Sequence, residues 1–183
     1  MSNAFNVCPM CQSKSIQYKD NLKWICPECN FVLYNNVAAA VGLIIVDTDG
    51  TIVFERRAKE PQKGMLAIPG GFIDADESAE HAAFRECLEE TGVSPDSVQY
   101  VASYPNTYPY KNITYKTCDF FFTADFSKTN IKTKIIDSMK GQKSEVLNLE
   151  SIKITDTDQI KKLDIAFEST RNALIYWFNN IKK

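Results

Sequence analysis

The sequence predicts a mixed α/β domain preceded by a small four-cysteine module. Three observations carry that reading. Val37–Val46 is apolar almost throughout, as a buried strand is, and a turn signal and a second apolar run follow it. Asp76 to Gly92 has the apolar spacing of a helix and ends on a helix-stop glycine. Ahead of both lie two Cys-x-x-Cys pairs, fourteen residues apart.

Composition bounds the answer. At 183 residues the chain has room for one main core and a small appendage. It is 44% hydrophobic and 24% charged, which suits a globular protein. The net charge of −2 gives no strong pull toward nucleic acid or an anionic membrane. No run approaches the length of a membrane span. The start lacks a basic-then-apolar signal pattern, so the expected compartment is the cytoplasm. Ser2-Asn3-Ala4 looks like a cloning remnant, and residues 1–4 stay outside the fold argument.

The cysteine module is expected over residues 5–34. Cys8-Pro9-Met10-Cys11 and Cys26-Pro27-Glu28-Cys29 each bring two thiols to one side of a tight loop. Two such loops supply the tetrahedral sulfur set that Zn²⁺ favours. Ile16–Lys19 and Lys23–Ile25 read as short strands joined by a turn at Asp20-Asn21. The module resembles a zinc ribbon. Two disulfides are the alternative, and they suit a secreted protein better. So short a segment buries little core and depends on metal to fold. Its basic residues are Lys14, Lys19 and Lys23, set against Asp20 and Glu28, so the expected role is structural or dimer-supporting. Trp24 is the expected anchor of its small core.

The larger domain is expected over residues 37–183. Asp47-Thr48-Asp49-Gly50 turns the chain into a returning strand, Thr51–Arg57. Ala67-Ile68 is a short strand feeding a glycine turn. The following helix should turn Ala79, Ala83, Phe84, Cys87 and Leu88 inward. Gln99–Ser103 is a strand, and a proline- and tyrosine-rich loop follows it. Thr117–Phe126 is a further strand, Lys128–Lys143 a polar loop or an excursion, and Val146–Ile154 another strand. Helices are expected over Thr155–Leu163 and Glu168–Ile181, the latter with Ala173, Leu174, Trp177 and Phe178 inward.

The chemistry concentrates in Gly71–Val93. Glu86, Glu89 and Glu90 stand at i, i+3 and i+4 of the helix, with Cβ atoms about 5–6 Å apart. Like charges this close repel unless something positive sits among them. A hard divalent cation prefers such oxygen ligands. Pro69-Gly70-Gly71-Phe72 leads into the helix, so the cation would be held beside a glycine turn. An ordinary glutamate-rich surface helix is the alternative.

The spacing of Gly71, Glu77, Arg85, Glu86, Glu89, Glu90 and Gly92 resembles the Nudix box, with Cys87 and Val93 at its apolar places. Cysteine is unusual at the first of these but packs as a small hydrophobe. The resemblance implies an α/β/α sandwich around a mixed sheet. It implies hydrolysis of a nucleoside diphosphate linked to another group, with Mg²⁺ or Mn²⁺ as cofactor. It assigns Glu86, Glu89 and Glu90 as metal ligands, with the backbone carbonyl of Gly70. Arg85 is expected to pair with Glu77 and orient the cluster. A distal carboxylate completes such sites, and Glu145 is the candidate, with a solvated loop charge as the alternative. Glu150, Asp156 and Asp158 are weaker contenders.

A zinc ribbon ahead of such a domain resembles the NADH pyrophosphatase group. That group's signature, Ser-Gln-Pro-Trp-Pro-Phe-Pro, is only partly kept in Ser103-Tyr104-Pro105-Asn106-Thr107-Tyr108-Pro109. Tyr104, Tyr108, Tyr110 and Tyr115 could stack on a purine or nicotinamide ring. The alternative is a braced loop whose tyrosines only pack. NADH or NAD is the leading substrate, and ADP-ribose or a nucleotide sugar comes next. The resemblance also implies a homodimer. Nucleic acid is not expected as a partner, apart from a dinucleotide-capped RNA end. A nucleotide-sensing regulator without catalysis is a further reading, against which the complete set of box glutamates stands. His81, the lone histidine, is expected at the helix surface, and Cys87 and Cys118 in the core.

Overall fold

The computed structural model describes residues 5–128, 134–141 and 144–182. The chain forms two compact units. One comprises Met1–Val37 with Thr107–Lys116, the other Ala38–Asn106 with Thr117–Lys183.

The smaller unit contains a three-stranded antiparallel sheet of β1 (Gln17–Lys19), β2 (Lys23–Ile25) and β3 (Val32–Tyr34). Asp20 and Asn21 adopt positive φ at the first turn, as Asp and Asn tolerate. Trp24 is buried on β2 and meets the rings of Phe5 and Tyr18 at centroid distances of 4.9 and 4.8 Å. The third strand was not expected from the sequence. All three of its residues are exposed, so no alternation marks it, and it exists by pairing with β2.

The larger unit is built on a mixed sheet. Its path runs β6 (Leu66–Ala67), β5 (Ile52–Arg57), β4 (Ala38–Val46), β8 (Ile113–Asp125), β7 (Ser97–Tyr110), with β9 (Val146–Ile152) paired to β5. β4 is antiparallel to β5 and parallel to β8. Alternation along the strands gives the sheet two apolar faces. Leu43, Ile45, Val53 and Phe122 pack with Ala82, Ala83 and Cys87 of helix α1 (Ala79–Thr91). Ile44, Ile52, Phe54 and Phe121 pack on the other face with Ile160 of α3 (Thr157–Lys162) and Ala173, Leu174 and Trp177 of α4 (Glu168–Asn180). The result is the expected α/β/α sandwich around a mixed sheet. Among the described residues, no helix is long and apolar enough to cross a membrane.

Three expectations need correction. The proline- and tyrosine-rich segment is not a loop but the second half of β7. Proline lacks a donor and suits edge strands, and β7 is at the sheet edge with Pro105 and Pro109 exposed. The Lys128–Lys143 segment contains a short helix, α2 (Ile135–Ser138); residues 129–133, 142 and 143 lie outside the described residues. Leu88 is 51% exposed, so α1 turns Ala82 inward in its place. The burial of Glu86 and Glu90 turns that helix further toward its acidic face than apolar spacing alone suggests.

Candidate active site

Helix α1 starts and stops on local chemistry. The Ser78 hydroxyl accepts from His81 N–H, and Gly92 closes the helix in the left-handed conformation, its N–H on the Leu88 carbonyl. His81 is exposed. The glycine loop before α1 is laid along β4: Leu43 N–H donates to Pro69 O and Val41 N–H to Gly71 O, both at 2.8 Å. At Gly70 that closeness demands glycine, since a Cβ there would stand 2.1 Å from Val41 O; one on Gly71 would meet the end of the Glu86 side chain, 2.5 Å from Oε1.

The helix face turned to this loop is acidic. Glu86 and Glu90 are buried, at 8% and 4% exposure, while Glu89 is exposed. Glu90 Oε2 accepts from Gly70 N–H at 2.6 Å. Arg85 sits among the other carboxylates. It donates to Glu77 from Nε (3.0 Å) and Nη2 (2.8 Å), and from Nη1 to Glu86 (2.6 Å) and Glu89 (3.3 Å). A further bond to Phe72 O ties it to the glycine loop. The pairing holds Glu77 below the usual carboxylate range.

A glutamate that sequence reasoning missed completes the cluster. Glu55 is on β5, two residues after Val53 and on the same face, the one covered by α1. It is 3% exposed, and the carboxyl of Glu90 lies beside its own. Burial pushes Glu55 up to about 8; the Arg57 charge opposes this, and those of Glu145 and Glu86 add to it. Burial likewise raises Glu90 well above the usual range, helped by the Glu55 charge. Glu86 is raised by burial against the pull of Arg85. The available signal was a charge in the interior of an apolar strand, TIVFERR, one residue before the arginine pair.

Glu145 lies just before β9. Pairing of Val146 with Arg57, and of Ala58 N–H with Glu145 O at 2.7 Å, sets it beside the end of β5. Its carboxylate pairs with Lys59 at 2.8 Å, and its charge acts on Glu55, Glu86 and Glu90. The weaker contenders are engaged elsewhere. Glu150 pairs with Arg56, Asp156 caps α3, and Asp158 pairs with Lys161. Tyr104 packs against the core with Phe121. Tyr108, Tyr110 and Tyr115 belong to the unit that contains the ribbon, where Lys111 lies over the Tyr110 ring.

The donor set fits a hard divalent cation. It is all oxygen, and one of its buried atoms, Glu55 Oε2, has no hydrogen-bond partner. The glutamates are splayed: Glu86 and Glu89 reach Arg85, while Glu90 reaches Gly70. Among the described residues, only the four cysteines bring three or more ligand atoms within 4.8 Å of one another.

Those cysteines, Cys8, Cys11, Cys26 and Cys29, fit a tetrahedral thiolate site. Cys8 and Cys29 Sγ are 3.7 Å apart, and Cys11 and Cys26 Sγ 3.6 Å. Zn–S bonds of about 2.3 Å in a tetrahedron set sulfur atoms about 3.8 Å apart. Burial works against the Cys8 thiolate, but backbone N–H groups of Cys11 and Met10 and the neighbouring thiols hold it at about 7. Cys29 is pushed up to about 12, the N–H of Phe31 being outweighed by burial and the neighbouring sulfurs. A cation at the centre would relieve that crowding. Cys87 is buried and bonded to Thr91 and Val93, and Cys118 is half-buried.

The chain is similar to several known proteins. The NAD-capped RNA hydrolase NudC of Vibrio atlanticus is 21% identical over 175 residues, covering 96% of this chain and 62% of that protein. The ADP-ribose pyrophosphatase of Methanocaldococcus jannaschii is 39% identical over 92 residues, half of each chain. The chain thus spans less than two thirds of the length of these relatives. Among solved structures, a NUDIX hydrolase from Nitrosomonas europaea covers 97% of this chain, and the match covers 92% of that chain, at 21% identity and a TM-score of 0.61. The MutT protein of Methanosarcina mazei covers 82% of this chain, with 99% of its own chain matched, at 18% identity and a TM-score of 0.62. These two likenesses bear on the fold. The NUDIX domain family itself matches residues 37–172, which hold the mixed sheet, α1, α3, the glycine loop and every glutamate of the cluster, and the chain therefore belongs to the Nudix family.

Proposed function

We propose that this chain hydrolyses the pyrophosphate bond of a nucleoside diphosphate-linked substrate, with NADH or NAD as the leading candidate. The observation that carries the reading is the acidic face of α1, buried against a glycine loop whose Gly70 N–H holds Glu90. Glu86, Glu89 and Glu90, with the Gly70 carbonyl and Glu145, would hold Mg²⁺ or Mn²⁺. When bound, such a cation neutralises phosphoanhydride charge and favours ionisation of the attacking water.

The protein's own residues do the remaining work. Arg85 keeps Glu86 and Glu77 in register through its fork of hydrogen bonds. Gly70 N–H orients Glu90. A carboxylate of the cluster, or a more distant one, would take the proton from water. Tyr104, Tyr108 and Tyr110 remain candidates for contacts to the substrate's rings.

The names of the relatives, an NAD-capped RNA hydrolase and an ADP-ribose pyrophosphatase, support dinucleotides first and ADP-ribose or nucleotide sugars second. A dinucleotide-capped RNA end would present the same bond. The reading includes a zinc ribbon over residues 5–34 with a structural Zn²⁺, a hydrolase domain over 37–183, a homodimer and a cytoplasmic location. The test is incubation with Mg²⁺ or Mn²⁺ and a panel of NADH, NAD, ADP-ribose, nucleotide sugars and nucleoside triphosphates, with product identification. AMP with reduced nicotinamide mononucleotide is the expected result. Tight binding of one member with hydrolysis of none would overturn catalysis in favour of a nucleotide-sensing regulator.

A further inference from the structure

Glu55 is a carboxylate that ordinary packing does not explain. Its strand neighbours on the same sheet face, such as Val53, serve the apolar layer under α1. An acid in such a layer is stabilised by a full set of hydrogen bonds or by a close counter-charge. Glu55 has neither in full. Its neighbour Glu90 is itself an acid. One carboxyl oxygen of Glu55, Oε2, is buried without a hydrogen-bond partner. Arg57 acts on it favourably, but Arg57 Nε is directed to the Pro61 carbonyl at 2.9 Å and the guanidinium lies over the Phe167 ring. A buried carboxylate oxygen left open, in contact with a glutamate of the acidic helix face, is a preformed ligand position.

We infer that Glu55 is a further ligand of the divalent cation held by the glutamate helix, reaching it from the sheet through Oε2. The inference rests on the reading of Glu86, Glu89 and Glu90 as the cation site. It adds a donor from β5 to donors from α1, so the cation would join helix to sheet. A purely structural Glu55, kept as a neutral acid beside Glu90, is the competing role. Glutamine preserves the size and can hydrogen-bond a neighbouring carboxylate but is a much poorer cation ligand, so it separates the two roles.

The experiment is direct Mn²⁺ titration by electron paramagnetic resonance on the full chain, with its cysteine site loaded with zinc. Thermal melts with and without Mn²⁺ accompany it. Wild type, Glu55→Gln and Glu89→Gln are compared. Glu55→Gln is expected to bind Mn²⁺ at least about tenfold more weakly. It should lose most of the Mn²⁺-induced rise in Tm, while its metal-free Tm equals or exceeds that of wild type. Mn²⁺ binding within twofold of wild type in Glu55→Gln, with Glu89→Gln weakened, overturns the inference alone. No Mn²⁺ binding by wild type overturns the cation site itself and this inference with it. Should Glu55→Gln not fold, Glu55→Asp keeps the charge and withdraws the oxygen by one methylene. Weakened Mn²⁺ binding by the folded Asp variant supports the role, and unchanged binding overturns it.

Discussion

Arg85 grips Glu77 with two parallel hydrogen bonds, at 3.0 and 2.8 Å, and uses its remaining nitrogen to hold Glu86 at 2.6 Å. One guanidinium therefore fixes two carboxylates eight and one residues away in sequence. This geometry depends on a planar fork, which lysine does not have. Arg85→Lys should keep the fold, as judged by circular dichroism, and lower kcat about 100-fold, the scale of a misplaced catalytic group. Turnover within threefold of wild type would remove Arg85 from the positioning role.

Glu89→Gln and Glu90→Gln should each abolish measurable turnover of the best substrate while the protein stays folded. The stability effects should differ. Glu89 is exposed, so its loss should leave Tm within a degree or two. Glu90 is buried against Glu55, so its neutralisation relieves a repulsion and should raise the metal-free Tm. Calorimetry of both variants without divalent metal checks this, and near-wild-type hydrolysis by either would refute the assigned chemistry.

Stability without divalent metal should fall as pH rises. Glu55, Glu86 and Glu90 all have folded-state pKa values raised above the ordinary 4.5, Glu55 to about 8. The folded form binds protons more tightly than the unfolded chain, so the benefit is complete below about pH 4.5 and lost as pH climbs through about 8. Arg57 and Arg85 moderate the trend, and Glu145 steepens it. Melts in chelator between pH 5 and 8.5 should show a declining Tm, with Mg²⁺ or Mn²⁺ restoring most of the loss at the alkaline end. A flat or rising profile would show that the cluster is not protonated in the folded protein.

Zinc removal should unfold the ribbon and spare the sandwich. The ribbon strands are three residues each, and Trp24 is the one aromatic at their centre that is fully buried. Little apolar area is available to offset chain entropy, so metal binding is the folding energy. A strong chelator, or Cys26→Ser, should collapse the amide dispersion of residues 5–34 in NMR spectra and leave that of α1 and β4 unchanged. An ordered ribbon after complete zinc removal would make the metal dispensable there.

Elements that depend on near neighbours were legible in the sequence. Helix α1 announced itself through Ser78, Gly92 and the i, i+3, i+4 glutamates, because capping and helical spacing act within a turn or two. The cysteine pairs were legible for the same reason. β4 and β5 were visible as an apolar run, a turn and a second run. Where sequence reasoning stopped, the deciding partner was distant. Helix α2 was hidden because its N-terminal N–H groups, Ile135 and Ile136, are satisfied by the carboxylate of Asp47, 88 and 89 residues away.

The sequence by itself determined the family, the acidic helix face and the four-sulfur module, since each is written in spacings of one to fourteen residues. Only the tertiary structure decided that β7 runs through its prolines, because an edge strand leaves a missing donor unpunished. It alone placed Glu145 beside the cluster, through pairing of β9 with β5. It alone brought Glu55 from the sheet against Glu90 from the helix, 35 positions further along the chain. A charge in a strand reads as a surface residue until the fold covers it. Burial then turns it into a group whose open oxygen calls for a ligand.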